Sequence, residues 1–266
     1  MNEVVGIFGC GYLGSRAAAF WKRLGLSVIG FARSSSKEDA VLSCCHTVER
    51  SLDTLIHNVD CLLVSVAPNR GIVEAYRETY LQTALQIRKI VDSSPIPQLQ
   101  QIFYTSSASV YGERGGDWVS ESDPVLPLTD LAKILVETEN VFLQIQGCGV
   151  VIFRIGELTG PGREIQDRVQ ARQGIPFPGT GNAFANLTPV DLLIRGLEFA
   201  RQKRLTGIFN LCSGEHPTRK TLYDRVAKEH QIPSPSWDSS LFSPHAGNKR
   251  LCCDKLANFG FKFANN

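Results

Sequence analysis

Hydrophobic and polar positions in the first half of the chain fall into two kinds of block. Short apolar runs of the kind found in buried parallel strands occupy Val4–Phe8, Leu26–Phe31, Asp60–Pro68 and Gln101–Ser107. Between the last two runs, apolar residues recur with helical spacing from Gly71 to Asp92, and weaker patterns predict a short helix over Lys37–Ser43 and a strand over His46–Val48. Strands alternating with helices predict an α/β protein with a Rossmann-type, doubly wound parallel sheet.

The first predicted strand breaks into glycines spaced G-x-G-x-x-G and continues into Ser15–Leu24, whose residues favour a helix. In such a turn the first glycine permits a sharp reversal, the second lets the backbone approach a pyrophosphate, and the third lets the helix pack closely on the strand. The unpaired N–H groups at the start of the helix also attract phosphate. The pattern predicts dinucleotide binding, with a purely structural turn as the alternative. The predicted cofactor-binding residues here are Gly9, Gly11, Tyr12, Leu13 and Gly14.

The end of the second predicted strand distinguishes between two dinucleotides. An NAD site places Asp or Glu roughly 20 residues after the glycines, where it accepts a hydrogen bond from the ribose 2′-hydroxyl. Arg33 and Ser34 stand there instead, and a guanidinium can hold a 2′-phosphate through two hydrogen bonds. We therefore expect NADP(H) to be favoured over NAD(H), with a solvated basic loop as the alternative. Ala67, in the loop that ends a later strand, is also expected to line the cofactor.

Proline and glycine interrupt the second half of the chain. The segment Gly156–Pro189 is rich in loop residues, and Ile175–Gly181 can form neither a helix nor a central strand. A helix capped at Thr218 is predicted to follow. We predict a dinucleotide-binding core over residues 1–155 and a small C-terminal substrate lobe over residues 156–266, with about 189–212 returning to the core.

Composition and charge narrow the class of protein. Of the 266 residues, 43% are hydrophobic and 20% charged, which is ordinary for a soluble globular protein. The net charge of +2 with no basic block argues against a nucleic-acid partner. No apolar stretch approaches the roughly 18–20 residues that span a bilayer, and the polar start of the chain does not resemble a signal peptide. We expect a cytoplasmic protein without a membrane partner.

The cysteines and histidines show no ligand spacing along the chain. The eight cysteines include two adjacent pairs but no C-x-x-C, and the five histidines are scattered. Small buried thiols in a reducing compartment are the simpler interpretation, so no metal is predicted.

The segment Tyr104–Gly112 (YTSSASVYG) resembles the S-S-x-x-V-Y-G signature of the extended short-chain dehydrogenases/reductases, the family of nucleotide-sugar epimerases and dehydratases. Further segments resemble later stretches of that family in the same order, at Phe153–Arg163, Asn186–Leu192, Gly207–Leu211 and Gly247–Arg250. The G-x-G-x-x-G spacing, in place of the family's usual G-x-x-G-x-x-G, points to the atypical NAD-dependent epimerase/dehydratase branch that also holds the bacterial YeeZ-like proteins.

The resemblance implies a catalytic set with one replacement. Ser107 would hydrogen-bond the substrate oxygen, and Lys133 would hold the nicotinamide ribose as the lysine of a Tyr-x-x-x-Lys pair. Thr129 stands at the tyrosine position, and its hydroxyl does not ionise near neutral pH. Tyr111 is expected to pack locally and Asp130 to point around the helix, so Glu157 is the best substitute acid. A carboxylate at Glu157 would also repel the diphosphate of a nucleotide sugar.

Three classes of function remain. The first is an NADP-dependent oxidoreductase or epimerase/dehydratase with a modified proton donor, acting on a small molecule such as a sugar derivative. The second is a catalytically quiet NADP(H)-binding module that acts as a sensor or partner protein, and the third is a scaffold. The glycine turn together with Arg33, Ser107 and Lys133 argues against the third class. We favour the first, with the oligomeric state open and a homodimer as one alternative.

Overall fold

The computed structural model describes residues 3–68, 71–93, 95–241 and 247–264, and seven of its strands form one sheet. In chain order these strands are β1 (Val4–Phe8), β2 (Ser27–Phe31), β3 (Thr47–Glu49), β4 (Cys61–Val64), β5 (Gln101–Ser107), β6 (Gly149–Ile155) and β7 (Gly207–Leu211). Their order across the sheet is β7-β6-β5-β4-β1-β2-β3. The registers of β1 with β2 and β4, of β2 with β3, and of β4 with β5 are all parallel. The predicted Rossmann-type α/β fold is confirmed.

The strand order reverses between β1 and β4. The chain moves outward from β1 to β2 and β3, then crosses back to β4 on the other side of β1 and continues to β5. In open α/β sheets, ligands bind outside the carboxyl ends of the strands at such a switch point. The glycine turn follows β1 directly, so the topology puts it at the expected place.

Ten α-helices are found in the described part of the chain. They are α1 (Tyr12–Arg23), α2 (Glu38–Leu42), α3 (Leu52–His57), α4 (Val73–Tyr76), α5 (Gln82–Ser93), α6 (Asp130–Leu143), α7 (Ile165–Ala171), α8 (Val190–Gln202), α9 (Arg219–Glu229) and α10 (Asp254–Asn258). None of the described helices combines the length and the apolar character needed to cross a bilayer.

Contacts divide the chain into two compact units. The first comprises Met1–Ser106, Asp130–Phe153 and Ile194–Phe209. Its core includes the buried apolar side chains of β1, β4 and β5, and all four residues of β4 are buried, as expected for a strand covered on both faces.

The second unit comprises Ser107–Thr129, Arg154–Leu193 and Asn210–Asn266. It contains three short parallel pairs, which join Glu157–Thr159 to Leu187–Pro189, Phe177–Pro178 to Trp237–Asp238, and Trp118–Val119 to Arg250–Leu251. A separate small core packs α7 against α9 with an aromatic cluster, in which the Phe177 ring lies 5.0 Å from that of Tyr223 and 5.4 Å from that of Trp237.

Most predicted elements are confirmed, and two differ for identifiable reasons. The helix predicted from Gly71 to Asp92 is α4 and α5 joined by a π-helical segment, Arg77–Leu81. The six-residue α3 was not predicted, because it is too short to show a helical repeat. Its start is marked by Ser51, whose hydroxyl accepts a hydrogen bond from the Thr54 backbone N–H at 3.1 Å.

Candidate functional site

The three glycines of the turn differ in the space around them. Gly9 has φ +109°, and a Cβ there would lie 2.7 Å from the Val66 backbone nitrogen. A Cβ on Gly14 would lie 2.1 Å from the carbonyl oxygen of Gly9, so α1 packs directly on the turn. A Cβ on Gly11 would meet nothing within 4 Å. Only Gly11 therefore faces open space, where a pyrophosphate could approach the backbone.

The start of α1 is suited to an anion. Gly11 is the N-cap residue, so no side chain caps the helix, and the first turn carries no acidic residue. Backbone N–H groups and the positive end of the helix dipole are thus available to phosphate oxygens. Of the two further residues predicted to bind cofactor, Tyr12 is half-buried and Leu13 is buried in the core.

Ser65 is a residue of this site that the sequence did not reveal. It follows β4, is 9% exposed, and donates its hydroxyl to the carbonyl oxygen of Gly9 at 2.8 Å. This hydrogen bond ties the turn to the strand on the other side of the switch point. Ser65 is therefore a positioning residue for the glycine turn.

The residues predicted to favour NADP(H) over NAD(H) lie just beyond β2. Arg33 is exposed, and its guanidinium makes no ion pair or side-chain hydrogen bond with a described residue. Ser34 is half-buried and stands just before the 3₁₀ turn Ser35–Lys37 without a side-chain capping hydrogen bond, and its hydroxyl lies 2.9 Å from that of Ser36. Ala67 is exposed in the loop after β4. Because the carboxyl ends of the neighbouring parallel strands β4, β1 and β2 meet at one edge of the sheet, these residues flank the turn.

Lys133 is paired with Asp130, the residue that the sequence predicts to point around the helix. Thr129 is half-buried and directly precedes α6, and Lys133 lies in the first turn of that helix. The exposed Lys133 ammonium donates to the carboxylate of Asp130 at 2.9 Å, and this hydrogen bond lowers the pKa of Asp130. Asp130 is thus held as a carboxylate, which does not suit a proton donor.

Ser107 and Tyr111 lie in the second unit. Ser107 is half-buried at the end of β5 and accepts a hydrogen bond from the Ser109 backbone N–H at 3.2 Å. Tyr111 is fully buried, and its hydroxyl donates to Asn210 at 2.7 Å. Burial raises its pKa. Tyr111 is therefore structural, which agrees with the expectation that it packs locally.

Glu157 opens the strand Glu157–Thr159 and forms ion pairs with two arginines. Its carboxylate contacts the guanidinium of Arg168 and lies 3.2 Å from that of Arg219. Two cations on one carboxylate favour its ionised form, so Glu157 rests without a proton and would have to accept one before it could return it. The expected repulsion of a diphosphate is not supported, because the two arginines leave the cluster with a net positive charge. The role of Glu157 in proton transfer stays a prediction.

Three of the cysteines that show no ligand spacing along the chain lie close together in the fold. The sulfur atoms of Cys10, Cys44 and Cys45 all lie within 4.8 Å of one another. The spacing along the chain does not indicate this cluster, because Cys10 lies in the glycine turn and the adjacent pair Cys44 and Cys45 follows α2.

Fold and turn together define a Rossmann-type dinucleotide-binding protein. Residues 1–82 match the family model described as "D-isomer specific 2-hydroxyacid dehydrogenase, NAD binding domain". Protein YeeZ of Escherichia coli (strain K12) is 31% identical over 193 residues, which cover 72% of this chain and 66% of YeeZ, just under two thirds of that relative.

Solved structures share the fold over nearly the whole chain. MoeE5 in complex with UDP-glucuronic acid and NAD has a TM-score of 0.82 at 17% identity and covers 100% of this chain and 95% of its own. UDP-glucuronic acid 4-epimerase from Bacillus cereus has a TM-score of 0.78 at 19% identity and covers 96% and 92%. The chain belongs to the extended short-chain dehydrogenases/reductases of the NAD-dependent epimerase/dehydratase type.

Proposed function

We propose that the chain binds NADP(H) at the glycine turn and acts as an oxidoreductase or epimerase/dehydratase on a small molecule. The observation that carries this proposal is the open space at Gly11 beside an uncapped helix start. Gly9 and Gly14 have no room for a side chain, whereas Gly11 has room and carries none. An anion approaching the backbone explains this pattern, because phosphate oxygens would occupy the volume that a Cβ would fill.

A 2′-phosphate is the feature that Arg33 would recognise. Its guanidinium is exposed and uncommitted among the described residues, and Ser34 offers a hydroxyl beside it. A planar guanidinium can make two charge-assisted hydrogen bonds to one phosphate. This supports a preference for NADP(H) over NAD(H).

The bound nicotinamide would supply hydride transfer, and this chain's own residues would position the substrate and move a proton. We assign Ser107 to orient the substrate oxygen and Lys133 to hold the nicotinamide ribose. Thr129 can donate a hydrogen bond but cannot titrate near neutral pH, so Glu157 is assigned to accept or return the proton. MoeE5 and the Bacillus cereus epimerase were solved with UDP-sugars bound. The positive surroundings of Glu157 support including nucleotide sugars among the substrates to be tested.

A catalytically quiet NADP(H)-binding module is the second candidate. It is favoured by Thr129 at the tyrosine position and by the pairing of Lys133 with Asp130. General acid–base assistance is typically worth about 10²–10⁴ in rate, so a protein without it would bind the cofactor and turn over little substrate.

Turnover separates the two candidates. NADP(H)-dependent conversion is measured over a panel of sugars with and without a nucleotide diphosphate, for the wild type, Ser107→Ala and the control Ser109→Ala. Ser109 is half-buried like Ser107 and lies two residues away. Turnover that Ser107→Ala abolishes and Ser109→Ala retains is expected for the enzyme. Tight NADPH binding with no turnover on any compound would assign the chain to the binding module.

A further inference from the structure

Three thiols converge beside the glycine turn in the first unit. Cys10, which lies between Gly9 and Gly11, has its sulfur 3.8 Å from that of Cys45, and the Cys44 and Cys45 sulfurs are 3.7 Å apart. Cys44 and Cys45 are buried, and Cys10 is half-buried. Two of the three thiols are therefore buried, and the third is partly accessible to solvent.

These separations match those of a thiolate metal site. Zn²⁺–sulfur bonds of about 2.3 Å place two ligands of a tetrahedral site about 3.8 Å apart. Both measured contacts lie within 0.1 Å of that separation. The third pair, Cys10 and Cys44, lies within 4.8 Å, so these two sulfurs close by at most about 1 Å when one ion reaches all three.

A glycine beside the cluster makes room for the sulfur atoms, and a nearby lysine supplies a positive charge. A Cβ on Gly30, in β2, would lie 2.7 Å from the Cys45 sulfur and 3.1 Å from the Cys10 sulfur, so the glycine makes room for both thiols. The Lys22 ammonium donates to the Cys45 carbonyl oxygen at 3.4 Å. Three thiolates around Zn²⁺ carry a net charge of −1, which a nearby ammonium offsets.

We propose that Cys10, Cys44 and Cys45 bind a single Zn²⁺ ion through their three sulfur atoms. Binding forms three Zn–S bonds and releases the three thiol protons to solvent. The fourth position lies open on the side of the half-buried Cys10, where water or another small ligand completes the tetrahedron. The proposal rests on the positions of the three sulfur atoms and stands whether or not the chain is an enzyme.

A metal titration tests the site directly. The chain is reduced with a phosphine and titrated with Zn²⁺ against a chromophoric chelator, and Co²⁺ serves as a spectroscopic substitute. We expect one tight Zn²⁺ site per chain and a sulfur-to-cobalt charge-transfer band. Cys10→Ser and Cys45→Ser should each weaken Zn²⁺ binding by at least about 100-fold. Cys253→Ser is the matched control, because Cys253 is in contact with one other thiol, Cys212, at 3.5 Å.

Alkylation of the unmodified protein gives a second readout that needs no variant. Zn²⁺ should protect Cys10 from a thiol reagent, as measured by peptide mass spectrometry, and a chelator should reverse the protection. Cys148 and Cys252 are half-buried like Cys10 and serve as internal controls. The proposal is overturned if Zn²⁺ does not bind, binds equally well after Cys10→Ser and Cys45→Ser, or protects all three of these half-buried thiols alike.

Discussion

Gly11→Val and Gly14→Ala alter the same turn, and we expect one to lose dinucleotide binding and the other to lose stability. Gly11→Val should remove dinucleotide binding while leaving the fold stable. Gly14→Ala should reduce stability, although it adds the smaller side chain. The contrast follows from the different space around the two Cα atoms.

Gly14→Ala should lower the free energy of unfolding because the new Cβ would collide with backbone atoms. A Cβ there would lie 2.1 Å from the Gly9 carbonyl oxygen and 2.8 Å from the Ser65 hydroxyl oxygen, so α1 must move away from the turn by nearly an atomic radius. Overpacking of this kind typically costs about 1–3 kcal/mol, and backbone contact puts Gly14→Ala near the upper end. We expect the free energy of unfolding to fall by about 3 kcal/mol.

Gly11→Val should weaken dinucleotide binding without a matching loss of stability. A Cβ there meets nothing within 4 Å, so the change in the free energy of unfolding should stay within about 1 kcal/mol. The valine side chain would keep the pyrophosphate from the backbone N–H groups at the start of α1. Losing two charge-assisted hydrogen bonds of about 1.5–3 kcal/mol each weakens binding by more than about 100-fold.

Two measurements on each variant check this contrast. Urea unfolding followed by circular dichroism gives the free energy of unfolding, and calorimetric titration gives the Kd for NADPH. If Gly11→Val binds NADPH normally, the phosphates do not lie at this turn. If Gly14→Ala is as stable as the wild type, the close packing of α1 on Gly9 is not the reason for that glycine.

Three further substitutions test the proposed proton transfer and the buried ammonium group of Lys249. Thr129→Tyr restores a phenol four residues before Lys133 and should raise NADP(H)-dependent turnover up to about 10²-fold over the wild type and a Thr129→Val control. Unchanged turnover would show that the phenol adds nothing to the proton transfer assigned to Glu157. Glu157→Gln should lower turnover by about 10²-fold with little effect on NADPH affinity, and equal turnover would remove Glu157 from proton transfer. Burial lowers the pKa of Lys249 to about 8 in the folded chain. Between about pH 8 and pH 10 this lysine therefore keeps its proton in the unfolded chain and loses it in the folded chain. Stability should therefore rise with pH in that window, and urea unfolding should show the wild type gaining about 3 kcal/mol relative to Lys249→Met; a constant difference would mean that Lys249 stays charged.

The parts of the fold that could be predicted are those encoded locally. Strand, glycine turn and helix follow one another within about 20 residues, and β5 runs from Gln101 to Ser107 as its apolar pattern predicted. The order of strands then follows from the rules for parallel crossovers. These features need no knowledge of which distant side chains meet.

The parts that could not be predicted depend on contacts between distant residues. Ser65 reaches Gly9 only because β4 pairs with β1, and Cys10 meets Cys45 across 35 positions of sequence. Glu157 could be placed after β6, but its two arginines come from α7 and α9. The sequence could therefore suggest which residues carry chemistry, whereas their charge state and partners required the folded chain.

Calorimetric titration of NADPH and NADH, side by side on the wild type and on Arg33→Ala, tests the proposed cofactor most directly. We predict that the wild type binds NADPH at least about tenfold more tightly than NADH, because Arg33 holds the 2′-phosphate through charge-assisted hydrogen bonds worth roughly 1.5–3 kcal/mol. Arg33→Ala should weaken NADPH binding by about ten- to hundredfold and leave NADH binding nearly unchanged. Equal affinities for the two cofactors in the wild type, or no binding of either, would contradict the account.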